Sequence, residues 1–380
     1  MRSQWKIEVY RNWEEVDDSK FLNRWMDLLQ SATDANVFAH PALIRTWTDI
    51  YRKQRDISPL YCIAESDNAT IFLPLVMWRR NWKNAFIRSI TPSGYSDYDY
   101  HDPLIVGDLS TEMMQLFWQS LFDAAKNGVL GSFDTAEFSG IRITGKQCGW
   151  KQSDNCHYAD LRRYEDFEQM LSSLSKNLRK DIKKRKRQLN NLGKITFHVY
   201  ENSELNQVLE DFPVFMREHG KKWPGAYKAP GFHESLLKNA FHEGLVHYSQ
   251  LRIDDRPISW ELGFRYRDKA YSYMPVYLDY YRKYSPGKIH LSYLLEDGIK
   301  KGIGIFDFMR GDESYKKEWT SDQFSLYRYD MAGRGLSSLM RNSAQGVLTR
   351  IKNKASRHYL FVLLLSNYVQ EVLVYQLLVD

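Results

Sequence analysis

The sequence predicts a mixed α/β (α+β) fold of two similar units in tandem, each a mixed, mainly antiparallel sheet flanked by helices. Three observations predict it. The order strand, two helices, strands, helix, strand appears twice along the chain. The run "LVHYSQLRIDDRPISWELGFRYRDKAYSYMPVY" reads as three strands broken only by two turns, the mark of an antiparallel sheet. The chain has 380 residues, 43% apolar and 26% charged, which suits a globular protein of roughly two domains.

The elements follow in order. In the first unit "WKIEVY" is a strand, and "SKFLNRWMDLLQSA" sets Phe21, Trp25, Leu28 and Leu29 at helical spacing. "HPALIRTWTDIYRK" is a second helix with Pro41 near its first turn. "LYCIAES" and "TIFLPLVMWRR" are strands joined by the turn former "SDNA". "MMQLFWQSLFDAAKNG" is a helix that stops at Gly128, and "FDTAEFSGI" is a strand. In the second unit a helix spans about Tyr164–Leu192 and stops at Gly193, and "KITFHVY" is a strand. "LNQVLEDFPVFMREHGKKW" is helical with a disturbance at Pro213, and "FHESLLKNAFHEG" is helical again. After the three strands comes "PGKIHLSYLLEDGIKKG", a helix opened by Pro286, and then the strand "GIFDFMRG". The boundary falls near Gln152–Leu161, giving units 1–155 and 156–335 and a helical tail 336–380. The units are expected to meet at a central cleft.

Net charge is +6, with a dense basic run at Lys176–Arg187 that implies an anionic partner without naming it. The spacing of Cys62, Cys148 and Cys156 matches no zinc or disulfide framework, so a reducing, cytoplasmic setting and no metal are expected. "MRSQWKIEVYRNWEE" has no apolar core of a signal peptide. The terminal "YLFVLLLSNYVQEVLVYQLLVD" is interrupted by Asn367, Gln370 and Glu371, short of the roughly 18 apolar residues of a membrane span. It reads as a docking helix or strand-like tail, with peripheral membrane contact as the alternative. Oligomeric state stays open.

Five segments carry groups suited to chemistry. "SGYSDYDYHDPLI" concentrates tyrosine and aspartate, which together suit sugar hydroxyls: Tyr98 and His101 as binding groups, Asp99 as a general base. Glu261 alternates with Trp260 and Leu262 in a strand, where it either points to water or, if buried, has a raised pKa and acts as a base. "SKNLRKDIKKRKRQLNNLG" has an apolar stripe of Leu174, Leu178, Ile182 and Leu189 inside a ring of cations. The cations form a solvated face, or Arg179 and Arg185 reach a cleft and pair with phosphate. No aromatic residue interleaves them, so specific nucleic-acid binding is not expected. In "REHGKKWPGAYKAPGFHE", Trp223 either walls a pocket or packs beneath a surface turn. Last, "IFDFMRGDESYKKEW" opens as a buried strand carrying Asp307, breaks at Gly311 and releases Tyr315 and Lys316.

"DDRPISWELGF", "YLDYYRKYSPGKIHLSYLLEDGIKKG" and "FDFMRGDESYKKEW", in this order, with "VFAHPALIRTWTDIY" and "SGYSDYDYHDPLI" in the first unit, resemble the acetyltransferase family known from cellulose-biosynthesis loci, the CelD/BcsL type. The resemblance rests on Ser285-Pro286-Gly287, Gly302, Asp307, Gly311 and Tyr315-Lys316, and covers about residues 5–330. That family has a GNAT (N-acetyltransferase) fold in its C-terminal half. It is related to the Fem-type aminoacyl transferases, which pair two GNAT-like domains. The resemblance implies an acyl-CoA co-substrate, acetyl-CoA first, whose pyrophosphate would meet Arg282, Lys283, Ser285, Gly287 and Lys288 at a helix N-terminus. It implies an acceptor that is a small molecule, a sugar nucleotide or a lipid-linked sugar, whose diphosphate would meet Arg179 and Arg185. Tyr277 and Tyr315 complete the substrate set. Lys316 would stabilise the oxyanion of the transferred acyl group, or else pair with Glu313 or Glu318 at the surface. The implied reaction is direct acyl transfer in cell-envelope or exopolysaccharide synthesis. Two rivals are a Fem-like transferase fed by aminoacyl-tRNA and a non-catalytic binding protein on the same scaffold.

Overall fold

The computed structural model describes residues 5–352 and 354. The apolar terminal segment expected as a docking tail lies outside the described residues. The first unit contributes β1 (Lys6–Tyr10), α1 (Trp13–Asp17), α2 (Ser19–Ser31), α3 (Pro41–Gln54), β2 (Asp56–Glu65), β3 (Ala69–Arg79), β4 (Arg88–Pro92), β5 (Leu104–Gly107), α4 (Thr111–Lys126), β6 (Thr135–Ile141), α5 (Ile143–Gln147) and β7 (Lys151–Asp160). The second begins with α6 (Phe167–Ser173), α7 (Lys176–Asn190), β8 (Ile195–Val199), α8 (Leu205–Lys222) and α9 (Phe232–Ala240). It continues with β9 (Val246–Ile253), β10 (Arg256–Tyr266), β11 (Lys269–Tyr277), α10 (Pro286–Lys300), β12 (Ile305–Arg310), α11 (Ser314–Trp319) and β13 (Gln323–Ala332). A further helix occupies 336–352.

All strands join one mostly antiparallel sheet, in the order β1-β2-β3-β4-β6-β13-β7-β12-β11-β10-β9-β8, with β5 beside β3. The order reads alike from both edges. From one edge it runs β1-β2-β3-β4-β6 and is completed by β13. From the other it runs β8-β9-β10-β11-β12 and is completed by β7. Each unit therefore gives its last strand to the other. The two parallel pairs, β4 with β6 and β11 with β12, occupy matching positions and are bridged by matching helices, α4 and α10.

The internal repeat expected from element order is present, but the units do not meet as separate sheets: β7 and β13 pair along their length at the centre. The boundary expected at residue 155 falls inside β7. The long helix expected over Tyr164–Leu192 is two helices. Leu174 is extended, and the Ser175 side chain caps the second helix by accepting from the Leu178 N–H at 3.2 Å. At Pro213, α8 continues without a break, held by Phe212 and Phe215 in the core.

Three clusters hold the layers. One packs α4 on the first unit's sheet through Phe117, Trp118, Phe138 and Trp150. A second packs α6, α7 and α10 on the other unit through Met170, Ile182, Leu295 and Phe306. The third is shared: α2 and α3 from one unit and α8 and α9 from the other bury Trp25, Trp47, Phe212 and Phe232 together. Arg267, in the β10–β11 turn, donates to the carbonyls of Leu29 (2.9 Å) and Ala32 (2.8 Å), so its cation ends α2 and ties the units.

Candidate active site

β11 and β12 pair over three positions only, Lys269–Ile305, Ala270–Phe306 and Tyr271–Asp307. Beyond Tyr271 they diverge. From Ser272 to Tyr277, β11 pairs with β10 alone, and its other edge borders a slot in the sheet.

The slot is held open from β12. Asp307 is buried, and its Oδ1 accepts from the Met309 N–H and the Tyr100 hydroxyl, both at 2.8 Å. Met309 has φ of 63°, a left-handed conformation unusual for a side chain that size, at the bulge between Asp307 and Arg310. The carboxylate caps that kink. Burial pushes its pKa up to about 6, against the two donors. A core strand carries a carboxylate here because the backbone it turns needs an acceptor inside the core.

The tyrosine–aspartate loop of the first unit braces both walls. Tyr273 on β11 donates to the Asp97 carbonyl at 2.7 Å, and Asp99 Oδ2 accepts from the Arg310 N–H at 3.1 Å. Asp97 itself accepts from Trp47 (2.8 Å) and Tyr51 (2.6 Å). Tyr98 is buried, with its hydroxyl on the Leu43 carbonyl at 2.9 Å. His101 lies against β6, its Nδ1 donating to Ser139 at 3.0 Å. The loop expected as an open sugar platform is thus a buttress: the Tyr98 hydroxyl, Asp99 Oδ2 and His101 Nδ1 are all bonded to backbone, while His101 Nε2 is buried without a partner among the described residues.

Glu261 stands beside the slot on β10, at 3% exposure, so it does not point to water. Burial pushes its carboxyl up to about 8, against the lowering influence of Ser272 and the Tyr273 backbone nearby. One of its oxygens, Oε1, has no partner among the described residues. Tyr315, at the start of α11, is its neighbour: burial and then the Glu261 charge raise the phenol.

Lys316 is placed differently from expectation. It is 2% exposed, and its ammonium meets the carbonyls of Met309 (3.1 Å), Arg310 (2.8 Å) and Gly311 (3.4 Å) and the Glu313 carboxylate (2.8 Å). Its donors are occupied, leaving none for an oxyanion. Lys316 clamps the exit turn of β12, and Gly311, with φ of 118°, permits that turn.

At the far end of β11, α10 starts at Pro286, after Ser285 in a left-handed conformation with no side-chain capping bond. Arg282 and Lys283 are exposed there. Gly287 packs closely: a Cβ would sit 3.3 Å from the Tyr277 ring. Lys222 lies over the rings of Trp223 (4.3 Å) and Tyr277 (4.9 Å), and burial and the Arg282 charge lower its pKa. Trp223 is exposed at the rim of this cluster. Lys288 is not free for phosphate, since it bridges Asp181 (3.0 Å) and Glu318 (2.8 Å). Nor do the two arginines converge on a cleft. Arg179 donates to the Ser172 carbonyl at 2.7 Å, while Arg185 pairs with Asp181 and donates to the Lys283 carbonyl at 2.6 Å. Arg185 therefore supports the turn that presents Arg282 and Lys283.

The structure adds Tyr273 to the site's walls and brings Asp97, from the tyrosine–aspartate loop, and Lys222, at the end of α8, against them. A tyrosine in an alternating strand and a lysine in a helix give no local signal of what faces them. Two surface cavities, of about 440 and 400 Å³, lie elsewhere, between α3 and α9 and between α6 and α10. The diverging strands single out the slot instead.

Residues 176–317 match the acetyltransferase (GNAT) domain family, a span that contains β11, α10, β12 and most of α11. No curated protein matches the sequence. Among solved structures, FemX has a TM-score of 0.58 at 9% identity, over 85% of this chain and 98% of that one. The C-terminal domain of a candidate lysylphosphatidylglycerol synthetase from Agrobacterium fabrum has a TM-score of 0.52 at 15% identity, over 85% and 95%. L-PGS from Bacillus licheniformis has a TM-score of 0.51 at 12% identity, over 88% and 97%. At these identities the likeness is one of fold. Among the described residues no helix is long and apolar enough to cross a membrane. The chain carries a GNAT-type acetyltransferase domain over 176–317, within a fold that spans nearly the whole of these neighbours.

Proposed function

We propose that the protein is an acyltransferase that takes an acyl group, acetyl first, from an acyl-CoA to an amine or hydroxyl of a sugar-containing precursor in cell-envelope or exopolysaccharide synthesis. The observation that carries the transfer reading is the slot between β11 and β12, with Glu261 and Tyr315 beside it, inside the span that matches the acetyltransferase domain. The sugar acceptor and the pathway rest on the sequence resemblance.

The acceptor nitrogen or oxygen bonds to the thioester carbonyl carbon, and the carbon–sulfur bond breaks. Deprotonated Glu261 takes the acceptor's proton. Tyr315 gives its hydroxyl proton to the departing thiolate and recovers one from Glu261, so the acceptor's proton ends on the thiol. No covalent enzyme intermediate is needed. The free edge of β11 would line the donor chain, and Arg282 and Lys283 would meet its phosphates.

The test is thermal melting with a panel of acyl-CoAs, followed by thiol release with candidate acceptors. A donor at a hundred times its Kd adds about 2.7 kcal/mol. A second reading, an aminoacyl-tRNA donor, is favoured by one observation: Lys176, Lys180, Lys183, Lys184 and Arg187 are all exposed on α7. If no acyl-CoA shifts the melt and transfer is destroyed by RNase, that second reading replaces the first.

A further inference from the structure

One edge of the molecule, remote in sequence from the slot, joins two segments of unusual surface chemistry. The β3–β4 connection projects Trp82 and Phe86, which are 65% and 64% exposed. This tip is built: Ala85 and Phe86 are both left-handed, and the N–H groups of Asn84, Ala85 and Phe86 bond back to Asn81, Trp82 and Asn81. The helix over 336–352 runs beside it, with Lys352 Nζ donating to the Lys83 carbonyl at 2.6 Å.

That helix is docked by its polar residues. Arg341 pairs with Asp134 at 2.8 Å and Asn342 donates to the Asp134 carbonyl at 3.1 Å. Its apolar residues face outward: Leu336, Leu339, Met340, Val347 and Ile351 are all exposed. Positions 336, 340, 347 and 351 fall on one helical stripe. A helix that stabilises a core does the reverse.

The charges complete the pattern. Residues 79–88 and 333–354 contain no Asp or Glu. Arg79 is paired with Asp56, and Arg88 and Arg341 with Asp134. Lys83, Arg350, Lys352 and Lys354 are exposed cations of the same two segments. An apolar stripe, an exposed tryptophan and exposed cations on segments that carry no carboxylate of their own are what an interfacial anionic membrane site requires. A symmetric pair of chains joined through this edge would set cation against cation.

We propose that this edge docks the protein on an anionic lipid surface, with Trp82, Phe86 and the outward stripe in the headgroup boundary and Lys83, Arg350, Lys352 and Lys354 on acidic headgroups. The proposal stands apart from the identity of the acyl donor. It is tested by cosedimenting the full chain with vesicles of phosphatidylcholine alone and of phosphatidylcholine with an equal part of phosphatidylglycerol. Binding is expected to the anionic vesicles and to weaken with salt. W82S/F86S should weaken partitioning by about tenfold or more. K83Q/R350Q should weaken it by roughly 25-fold, at about fivefold per cation, and only on anionic vesicles. Both variants should melt as the parent does, since the side chains are exposed. Three results overturn the proposal: no binding to anionic vesicles, equal binding by the parent and both variants, or a parent that is dimeric by light scattering and loses that state in W82S/F86S without binding vesicles.

Discussion

Replacing Glu261 by Gln separates two consequences of one burial. The carboxyl rises from the ordinary 4.5 to about 8 in the folded chain, chiefly through burial. Between those pH values the folded state keeps a proton that the unfolded chain has released. The unfolded state then binds fewer protons, so stability falls as pH rises. The fall is about 1.4 kcal/mol per pH unit, or roughly 3 kcal/mol between pH 5 and 7. It starts above the unfolded pKa and ends near pH 8. Gln does not titrate. E261Q therefore carries a constant penalty of about 1 kcal/mol for its unpaired amide, and gains on the parent steadily as pH rises. Urea unfolding at pH 5, 6, 7 and 8 measures the difference. If Glu261 is also the base, E261Q loses about 10²–10⁴ in kcat/KM, and the limb that rises towards pH 8 disappears. Parallel stability curves for parent and variant would refute the burial argument, and full activity in E261Q would remove Glu261 from the chemistry.

Lys316→Met should cost about 3 kcal/mol in a thermal melt, because it strips donors from the carbonyls of the β12 exit turn. Turnover per folded molecule should survive; an unchanged melt with kcat lowered by about 10²–10³ would instead restore Lys316 as the oxyanion group. Arg185→Ala should raise the donor KM by about three- to tenfold and leave the acceptor KM alone, since its bond to the Lys283 carbonyl supports the donor turn; the opposite split in steady-state kinetics would return it to the acceptor. Fragments cut at residue 155 should not fold separately, judged by near-ultraviolet dichroism, because the cut divides β7 and parts each unit from its sixth strand.

The sequence displayed most of the outer fold and little of its centre. Edge-to-middle strands such as "TIFLPLVMWRR" and "PISWELGF" are apolar or alternate cleanly, and helices such as α4 carry a full apolar face with a capped start, Ser110 on the Met113 N–H. The two central strands escaped. β7, "KQSDNCHYAD", is polar over its first half because that half is exposed, and only Cys156, His157 and Ala159 are buried. Its placement is decided by β12 and β13, far along the chain. The site was half legible. A glutamate between Trp260 and Leu262 left two orientations open, towards water or into the core, and the fold buries it. By contrast, nothing local distinguishes a lysine that clamps a turn from one that meets substrate. Lys316, Lys288 and Arg185 found partners 5, 107 and 98 residues away.

The repeat also explains why one slot is available and its twin is not. In the first unit β4 and β6 part after Ser89–Thr135 and Ile90–Ala136, as β11 and β12 part after Tyr271–Asp307. There the edge of β6 is taken by the chain itself: the His101 N–H bonds the Gly140 carbonyl at 2.9 Å, and its ring bonds Ser139. The fit is close enough that a Cβ on Gly140 would meet the Asp99 carbonyl oxygen at 2.5 Å. The same loop then reaches across to Tyr273, Asp307 and Arg310. Closing its own slot is what gives the loop a fixed position from which to hold the other open. One unit has become the frame and the other carries the candidate site, and the exchanged strands β7 and β13 join the two. The match to the acetyltransferase domain over 176–317 alone follows the same division.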